Sequence, residues 1–236
     1  GTAPSSQTVE QGQKLTDPGD LEEEGYEFGG WFTEEECQNE WTFETDTVDS
    51  AMTLYAKWTP VPAVAPEVTT GSDPVLTYGY DNDYVLTVSA DEPAGHTLSY
   101  QWYSCDASGA NETAITGETS ADYNFTQGKG IGSYYYYCVV TSTRTDNGET
   151  ATAKSRIITV KVEKAKPTYD IPSDLTATYG DTLASVTLPN GWSWQDDTQS
   201  VGNVGSNKFK ADYTTGDPNY EAVTDIDVIV TVSAKS

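Results

Sequence analysis

The sequence has few basic residues. Its 12 Lys and Arg stand against 37 Asp and Glu, which gives a formal net charge of −25. A surface of this sign repels nucleic-acid phosphates and anionic lipid headgroups. The chain also lacks an apolar run long enough to cross a bilayer as a helix. We therefore expect no nucleic-acid partner and no membrane insertion.

Cysteine and histidine, which often bind metals or act in catalysis, are equally scarce. The three cysteines are Cys37, Cys105 and Cys138. An odd number without metal-type spacing argues against a zinc site and a disulfide scaffold. The single histidine, His96, follows a turn-like Pro-Ala-Gly; the sequence has no G-x-S-x-G elbow, and no cysteine lies near His96. A Ser-His-Asp or Cys-His site would need such partners. We therefore expect neither an enzyme nor a cofactor.

The residues that are abundant favour β-structure. Thr, Val, Tyr and Gly are frequent, and 6 Trp, 16 Tyr and 5 Phe supply bulky side chains for several small cores. A chain of 236 residues suits two or three domains. The fold class predicted from composition is mainly all-β.

Two joints divide the chain into three predicted domains, at residues 1–59, 66–163 and 167–236. The first joint alternates proline with small residues between Pro60 and Pro66. Such a segment favours an extended spacer, which would hold its neighbours about 20 Å apart at ~3.1 Å per residue. The second joint, residues 163–167, is shorter and polar. A strand-like run precedes each joint, and another ends the chain.

The first segment contains three aromatic clusters, GYEFGGWF at 25–32, WTF at 41–43 and TLYAKW at 53–58. Together they resemble the Listeria–Bacteroides repeat of internalin-B-type surface proteins. The resemblance implies a small β-grasp-like fold, with a short helix or turn at 34–40. Residues 1–8 resemble the tail of the family's Gly-rich turn, and the usual first strand before that turn is missing. We therefore expect a truncated sheet with an unpaired edge that another chain could fill. This segment should be the least stable.

The second segment has the order of an immunoglobulin domain. Trp102 is the expected core tryptophan, and Tyr136 precedes Cys138 by two residues, as in a tyrosine corner. The stretches SYQWY at 99–103 and YYYYCVV at 134–140 resemble bacterial Ig-like repeats of Firmicute surface proteins. Val85–Val88 stands where the first core cysteine would be, so the inter-sheet disulfide is lacking. Pairing of Cys105 with Cys138 stays open. The Asp-Asn-Gly at 146–148 predicts a type I′ hairpin.

The third segment contains LTATYGDTL at 175–183 and GWSWQDD at 191–197. It resembles another β-sandwich repeat of Gram-positive surface proteins, which implies a second Ig-like domain without chemistry of its own. The predicted architecture is therefore two tandem Ig-like sandwiches after a small β-grasp-like repeat.

Four aromatic residues are candidates for ligand binding. Trp192 and Trp194 alternate with a serine, so both should project from one face of a strand. They form either a stacking platform or the anchors of a small core, and the core is the favoured interpretation. Tyr135 and Tyr137 should face outward and could form an interface. For metals we expect none, and the best oxygen cluster, Asp81 and Asp83, is favoured as an ordinary turn.

Two hypotheses of function follow. The first is a non-enzymatic, extracellular modular protein that acts in cell-surface adhesion or as a stalk. Its partner would be a host or neighbouring-cell surface protein or glycan, and the chain would be monomeric. It would be associated with the cell surface or wall. The chain begins with Gly1 and shows no signal peptide, so targeting and anchoring segments would lie elsewhere. The alternative is an accessory carbohydrate-binding region of a secreted carbohydrate-active enzyme.

Overall fold

The computed structural model describes residues 2–235, and it confirms the all-β class. Within these residues the chain forms sixteen strands, and the one helical element is a short 3-10 turn at Leu183–Ser185. No helix among them is long and apolar enough to cross a membrane. By internal packing the chain divides into two compact units. Unit 1 comprises residues 2–71, 87–123 and 136–157, and unit 2 comprises residues 72–86, 124–135 and 158–235. The three-domain division of the sequence stays a prediction.

Residues 2–60 in unit 1, here called the N-terminal module, form a three-stranded antiparallel sheet. Its strands are β1 (Tyr26–Phe32), β2 (Glu40–Trp41) and β3 (Tyr55–Pro60), in the order β2-β1-β3. The strands carry the predicted aromatic clusters, and the Phe28 ring lies 5.8 Å from Trp31 and 5.4 Å from Trp58. A bulge interrupts the register between Phe28 and Trp31. Residues 34–39 form a turn. No strand precedes β1 within the described residues, so β2 and β3 are the edges of the sheet.

Nine short strands follow. They are β4 (Val68–Thr70), β5 (Val75–Thr77), β6 (Tyr84–Ala90), β7 (His96–Cys105), β8 (Thr113–Ala114), β9 (Asp122–Phe125), β10 (Gly132–Arg144), β11 (Thr150–Lys154) and β12 (Ile158–Glu163). In unit 1, β4 pairs with β6, β7 with β8, and β10 with β11, all antiparallel. In unit 2, β5 pairs with β12 in parallel.

Trp102 anchors the part of the core that lies in unit 1, as the sequence predicts. Its side chain is 0% exposed, and its indole Nε1 donates a hydrogen bond to the Ser120 carbonyl at 2.9 Å. The Tyr123 ring lies 5.6 Å from Trp102 and 5.0 Å from Tyr136. Burying the indole costs little free energy because its one polar atom is hydrogen-bonded, so tryptophan suits this position. Cys138 is buried as a free thiol.

The last four strands lie in unit 2 and form one sheet. They are β13 (Leu175–Thr178), β14 (Trp192–Trp194), β15 (Gly205–Tyr213) and β16 (Val223–Ser233), in the order β13-β16-β15-β14. The β13–β16 pair is parallel and the other pairs are antiparallel. Every second residue of β16 is buried, from Ile226 to Val232. This alternation is typical of a sheet with one face on a core and the other in water.

The first joint is not the free spacer that its prolines predict. β3 extends to Pro60, and the Val61 amide donates to the Gly25 carbonyl at 2.8 Å. The Asn147 side-chain amide donates to the same carbonyl at 2.6 Å and to the Val61 carbonyl at 2.9 Å. The Val64 amide donates to His96 Nε2 at 3.2 Å. The segment is therefore fixed by hydrogen bonds inside unit 1, which proline composition alone cannot predict.

The β10–β11 hairpin is present, but its turn is not type I′. The loop spans the five residues between Arg144 and Thr150, and Gly148 has a φ of +77°. Asn147 is not among the residues with positive φ, which a type I′ turn would require of it. The Asn147 side-chain amide donates to the Gly25 and Val61 carbonyls, and the longer loop places it within reach of both.

Candidate functional site

An aromatic cluster stands at the edge strand β14 in unit 2. Trp192 lies directly across from Tyr213 on β15, so their rings share one face and their centroids are 5.2 Å apart. Tyr169 closes the cluster at 5.6 Å from Trp192 and 5.2 Å from Tyr213. The Tyr169 side chain is 37% exposed. The three rings offer a partly exposed apolar surface of the kind that stacks on sugars or on partner side chains.

Gly191 allows this close approach. Its φ is +85°, and a Cβ atom there would lie 2.6 Å from the Thr214 carbonyl oxygen and 2.9 Å from the Tyr213 ring. Any side chain would therefore force the loop after β15 away from β14. The sequence analysis identified Trp192 but missed Tyr169 and Tyr213. Tyr169 lies more than twenty residues before Trp192, so no local pattern could have joined them.

Trp194 has a different role from Trp192, although both project from one face as predicted. Its indole Nε1 donates to the Val186 carbonyl at 3.0 Å, and its ring meets Phe209 edge-on at 6.2 Å. It packs against the buried cluster that contains Leu183 and Val201. Trp194 is thus held as a core anchor. Trp192 also packs against buried residues, Ala211, Ile226 and Val228, and in addition contacts the Tyr169 and Tyr213 rings.

Tyr137 is buried, so its predicted outward orientation is wrong. Its side chain is 1% exposed, because the Tyr103 ring stacks on it at 5.1 Å and Lys154 Nζ lies 3.6 Å above its centre. Lys154 is also paired with Glu112. Burial, followed by the Glu112 contact, raises the pKa of Tyr137. Tyr135 is half-buried. The strand alternation was correct, but a second layer of side chains covers the face that Tyr137 occupies.

Asp81 and Asp83 behave as turn residues. The Asp83 carboxylate accepts the Gln127 amide at 2.9 Å, and the Asp81 carbonyl accepts the Gln127 side chain at 2.7 Å. Across residues 2–235 no group of three or more His, Cys, Asp or Glu side chains is arranged to hold a metal ion.

His96, Cys105 and Cys138 are partly or fully buried. His96 is 5% exposed, and its two ring nitrogens contact the Val64 amide and the Ala94 carbonyl. Burial raises the pKa of Cys138 to about 11, and burial also raises the pKa of Cys105. A thiol with a raised pKa is a poor nucleophile because the thiolate is the reactive form.

A cleft of about 690 Å³ lies in the N-terminal module and was not foreseen from the sequence. Apolar side chains line it, including Trp31, Phe43, Met52 and Leu54, and the extended residues 3–9 form part of its wall. The indole Nε1 of Trp31 is buried and has no hydrogen-bond partner. Aromatic clusters in the sequence predicted a core here, and nothing in their spacing indicated that the core is open.

The comparisons with known proteins concern mainly this N-terminal module. Residues 1–57 match the sequence model of the Listeria-Bacteroides repeat domain. The relatives include two proteins of Evansella cellulosilytica whose names describe them as membrane proteins, one of them Gly-rich. They are 45% and 41% identical to this chain over 58 residues, which is 25% of the chain. The matched region spans only 7% and 9% of their lengths.

Among solved structures, one of murine CRIg is similar to part of the chain. It is 16% identical, covers 42% of this chain and 98% of its own, and has a TM-score of 0.33.

Proposed function

We propose that this chain is a non-enzymatic part of an extracellular, modular surface protein that acts in adhesion or as a stalk. The observation that carries the proposal is the Listeria-Bacteroides repeat at residues 1–57, which resembles the repeats of internalin-B-type surface proteins. The relatives named as membrane proteins agree with a place at the cell envelope. In this proposal the chain is attached to a Gram-positive cell surface or wall and is monomeric.

Two physical features support a stalk or adhesive region. The first joint is fixed by the Asn147 and His96 hydrogen bonds, and a fixed joint transmits orientation along a chain better than a free linker does. The net charge of −25 favours solubility and disfavours nucleic-acid partners. The two tandem Ig-like sandwiches remain part of the proposal, as does the absence of catalysis and of a cofactor.

The partner in this proposal is a protein or glycan on a host or neighbouring cell. The aromatic cluster of Tyr169, Trp192 and Tyr213 is the surface that would contact it, because aromatic residues with partial exposure dominate binding interfaces. The loop after β15 begins with two exposed residues, Thr214 and Thr215, whose hydroxyl groups accept backbone amides of the same loop.

The same cluster favours the second candidate function, an accessory carbohydrate-binding region of a secreted carbohydrate-active enzyme. Partly exposed aromatic rings can stack on sugars without catalysing a reaction. The two candidates differ in the ligand: the second requires a sugar, whereas a stalk requires none.

A binding array of glycans, mucin and extracellular-matrix proteins tests the proposal, run with Ca²⁺ and with a chelator. A saturable sugar signal that Trp192→Ala abolishes favours the carbohydrate-binding function. A protein signal favours adhesion, and the absence of any signal favours the stalk. Tyr179→Ala is the control, since Tyr179 is an exposed aromatic residue in unit 2 outside the cluster of Tyr169, Trp192 and Tyr213. Hydrolysis of an arrayed glycan would contradict the non-enzymatic proposal.

A further inference from the structure

We propose that the cleft of the N-terminal module binds an extended, positively charged segment of a partner protein. This inference goes beyond adhesion through the aromatic cluster of unit 2, because it concerns a different surface and a different class of ligand. The walls of the cleft, an unpaired indole N–H and the charge of the module each support it.

The walls are two extended stretches of chain held at fixed positions. Residues 3–9 are held by Gln7, whose side chain accepts the Thr16 amide at 2.8 Å and donates to the Thr16 carbonyl at 2.6 Å. The stretch that includes Val48 is held on the other side: the Val48 amide donates to the Gln13 carbonyl and the Gly12 amide donates to the Val48 carbonyl, both at 2.9 Å. The cleft is therefore a built feature of the module.

The backbone around the cleft suits an extended peptide. Residues 3–9 and 51–54 belong to no strand in the described chain, and 51–54 lead directly into β3, an edge of the three-stranded sheet. An edge strand can pair with an added strand through its free backbone groups. In β-augmentation these hydrogen bonds supply affinity, while alternate side chains enter pockets. Here Met52, Leu54 and Phe43 provide the apolar floor for such side chains.

Trp31 supplies a polar contact that lacks a partner. Its Nε1 is buried and makes no hydrogen bond, although the ring lines the cleft. A buried donor without an acceptor costs free energy, which a ligand carbonyl would recover once the Trp31 indole turns on binding so that its N–H faces the cleft. Trp41 Nε1 is equally unpartnered but does not line the cleft, so it provides a control in the same module.

The negative charge of the N-terminal module favours a positively charged ligand. Residues 1–59 contain 14 Asp and Glu against 2 Lys and Arg, a formal charge of 2 − 14 = −12. Asp49 is exposed at the lining of the cleft. A second copy of this chain carries −25 and is repelled, as is any anionic polymer. Electrostatic complementarity therefore favours a basic segment.

Two synthetic nine-residue peptides test the proposal, one alternating Lys with Val and the other alternating Glu with Val. We expect the basic peptide to bind the full chain saturably, and the acidic one at least about tenfold more weakly. In a ¹H–¹⁵N spectrum the indole N–H signal of Trp31 should shift on binding, because it gains an acceptor. Raising the salt concentration from about 50 to 200 mM should weaken binding.

Matched variants locate the site. Trp31→Phe should weaken the basic peptide about fivefold through loss of one hydrogen bond, whereas Trp41→Phe should not. Asp49→Lys should weaken it further, whereas Asp20→Lys, an equal charge change at an exposed residue outside the lining, should not. Each variant is exposed or conservative enough to keep the fold, which circular dichroism checks. Equal binding of both peptides, no binding of either, or self-association of the chain through this module would overturn the proposal.

Discussion

Replacing Gly25 with alanine should release the hydrogen bonds that fix the first joint. Gly25 has a φ of +82°, and a Cβ atom there would lie 2.8 Å from Asp146 Cγ and 3.0 Å from Asn147 Cβ. Asp146 cannot move aside easily, because the Arg144 guanidinium holds it through Nε at 2.9 Å and through Nη2. Alanine would therefore push the Asp146–Asn147 loop away from the Gly25 and Val61 carbonyls.

The expected loss in the free energy of unfolding on Gly25→Ala has two parts. Placing alanine in the left-handed region costs about 1–2 kcal/mol, and forcing a methyl group into an occupied space costs about 1–3 kcal/mol more. Gly12→Ala isolates the first part, since Gly12 has a φ of +80° and nothing lies within 4 Å of its added Cβ. The difference between the two variants in the free energy of unfolding of the N-terminal module should thus be about 1–3 kcal/mol.

Hydrogen exchange of the Val61 amide reports the same difference locally, because that amide donates to the Gly25 carbonyl. Exchange should accelerate about five- to a hundredfold in Gly25→Ala beyond the change seen in Gly12→Ala. Urea unfolding of both variants gives the overall stability. If the two variants lose the same stability and Val61 stays equally protected, the loop does not dock on Gly25 and the reasoning is wrong.

Three further predictions follow from single side chains. The Thr33 hydroxyl and neighbouring backbone amides hold the pKa of Glu34 at about 2 against an ordinary 4.5. The turn should therefore lose stability as the pH falls from 4.5 to 2. NMR titration should show that Glu34→Gln removes this dependence. Cys138 should react with a thiol reagent at pH 8 at least about tenfold more slowly than the half-buried Cys37, as mass spectrometry of the modified chain would measure. Trp194→Phe should lower the free energy of unfolding in urea by about 1–3 kcal/mol, because it loses a buried hydrogen bond and part of the indole surface.

The strands were predictable because alternation and aromatic content are local properties. Trp102 was identified as a core residue and is fully buried, and the WSW run at 192–194 is a strand with both rings on one side. The turn before β2, at residues 34–39, and the hairpin between β10 and β11 also lie where the sequence places them.

Contacts between distant residues were not predictable. Asn147 meets Gly25 across 122 positions, and no feature near either residue indicates the other. Likewise, Tyr169 contacts Trp192 only in the folded chain, and no feature of the sequence near either residue indicates that contact. The outward orientation of Tyr137 failed because alternation predicts which face a side chain occupies, but not whether that face is covered. The sequence therefore identified Trp192 of the aromatic cluster but neither Tyr169 nor Tyr213.

The parallel pairing of β13 with β16 has a mechanical consequence. Leu175 to Thr178 align with Val230 to Ser233, so the first and last strands of this sheet run in the same direction. A pull on the two ends of the segment acts along these strands and loads all of their hydrogen bonds in shear at once, rather than opening them one by one. β5 and β12 share this geometry over Val75–Thr77 and Lys161–Glu163. Each parallel pair would therefore resist stretching of its segment as a single unit.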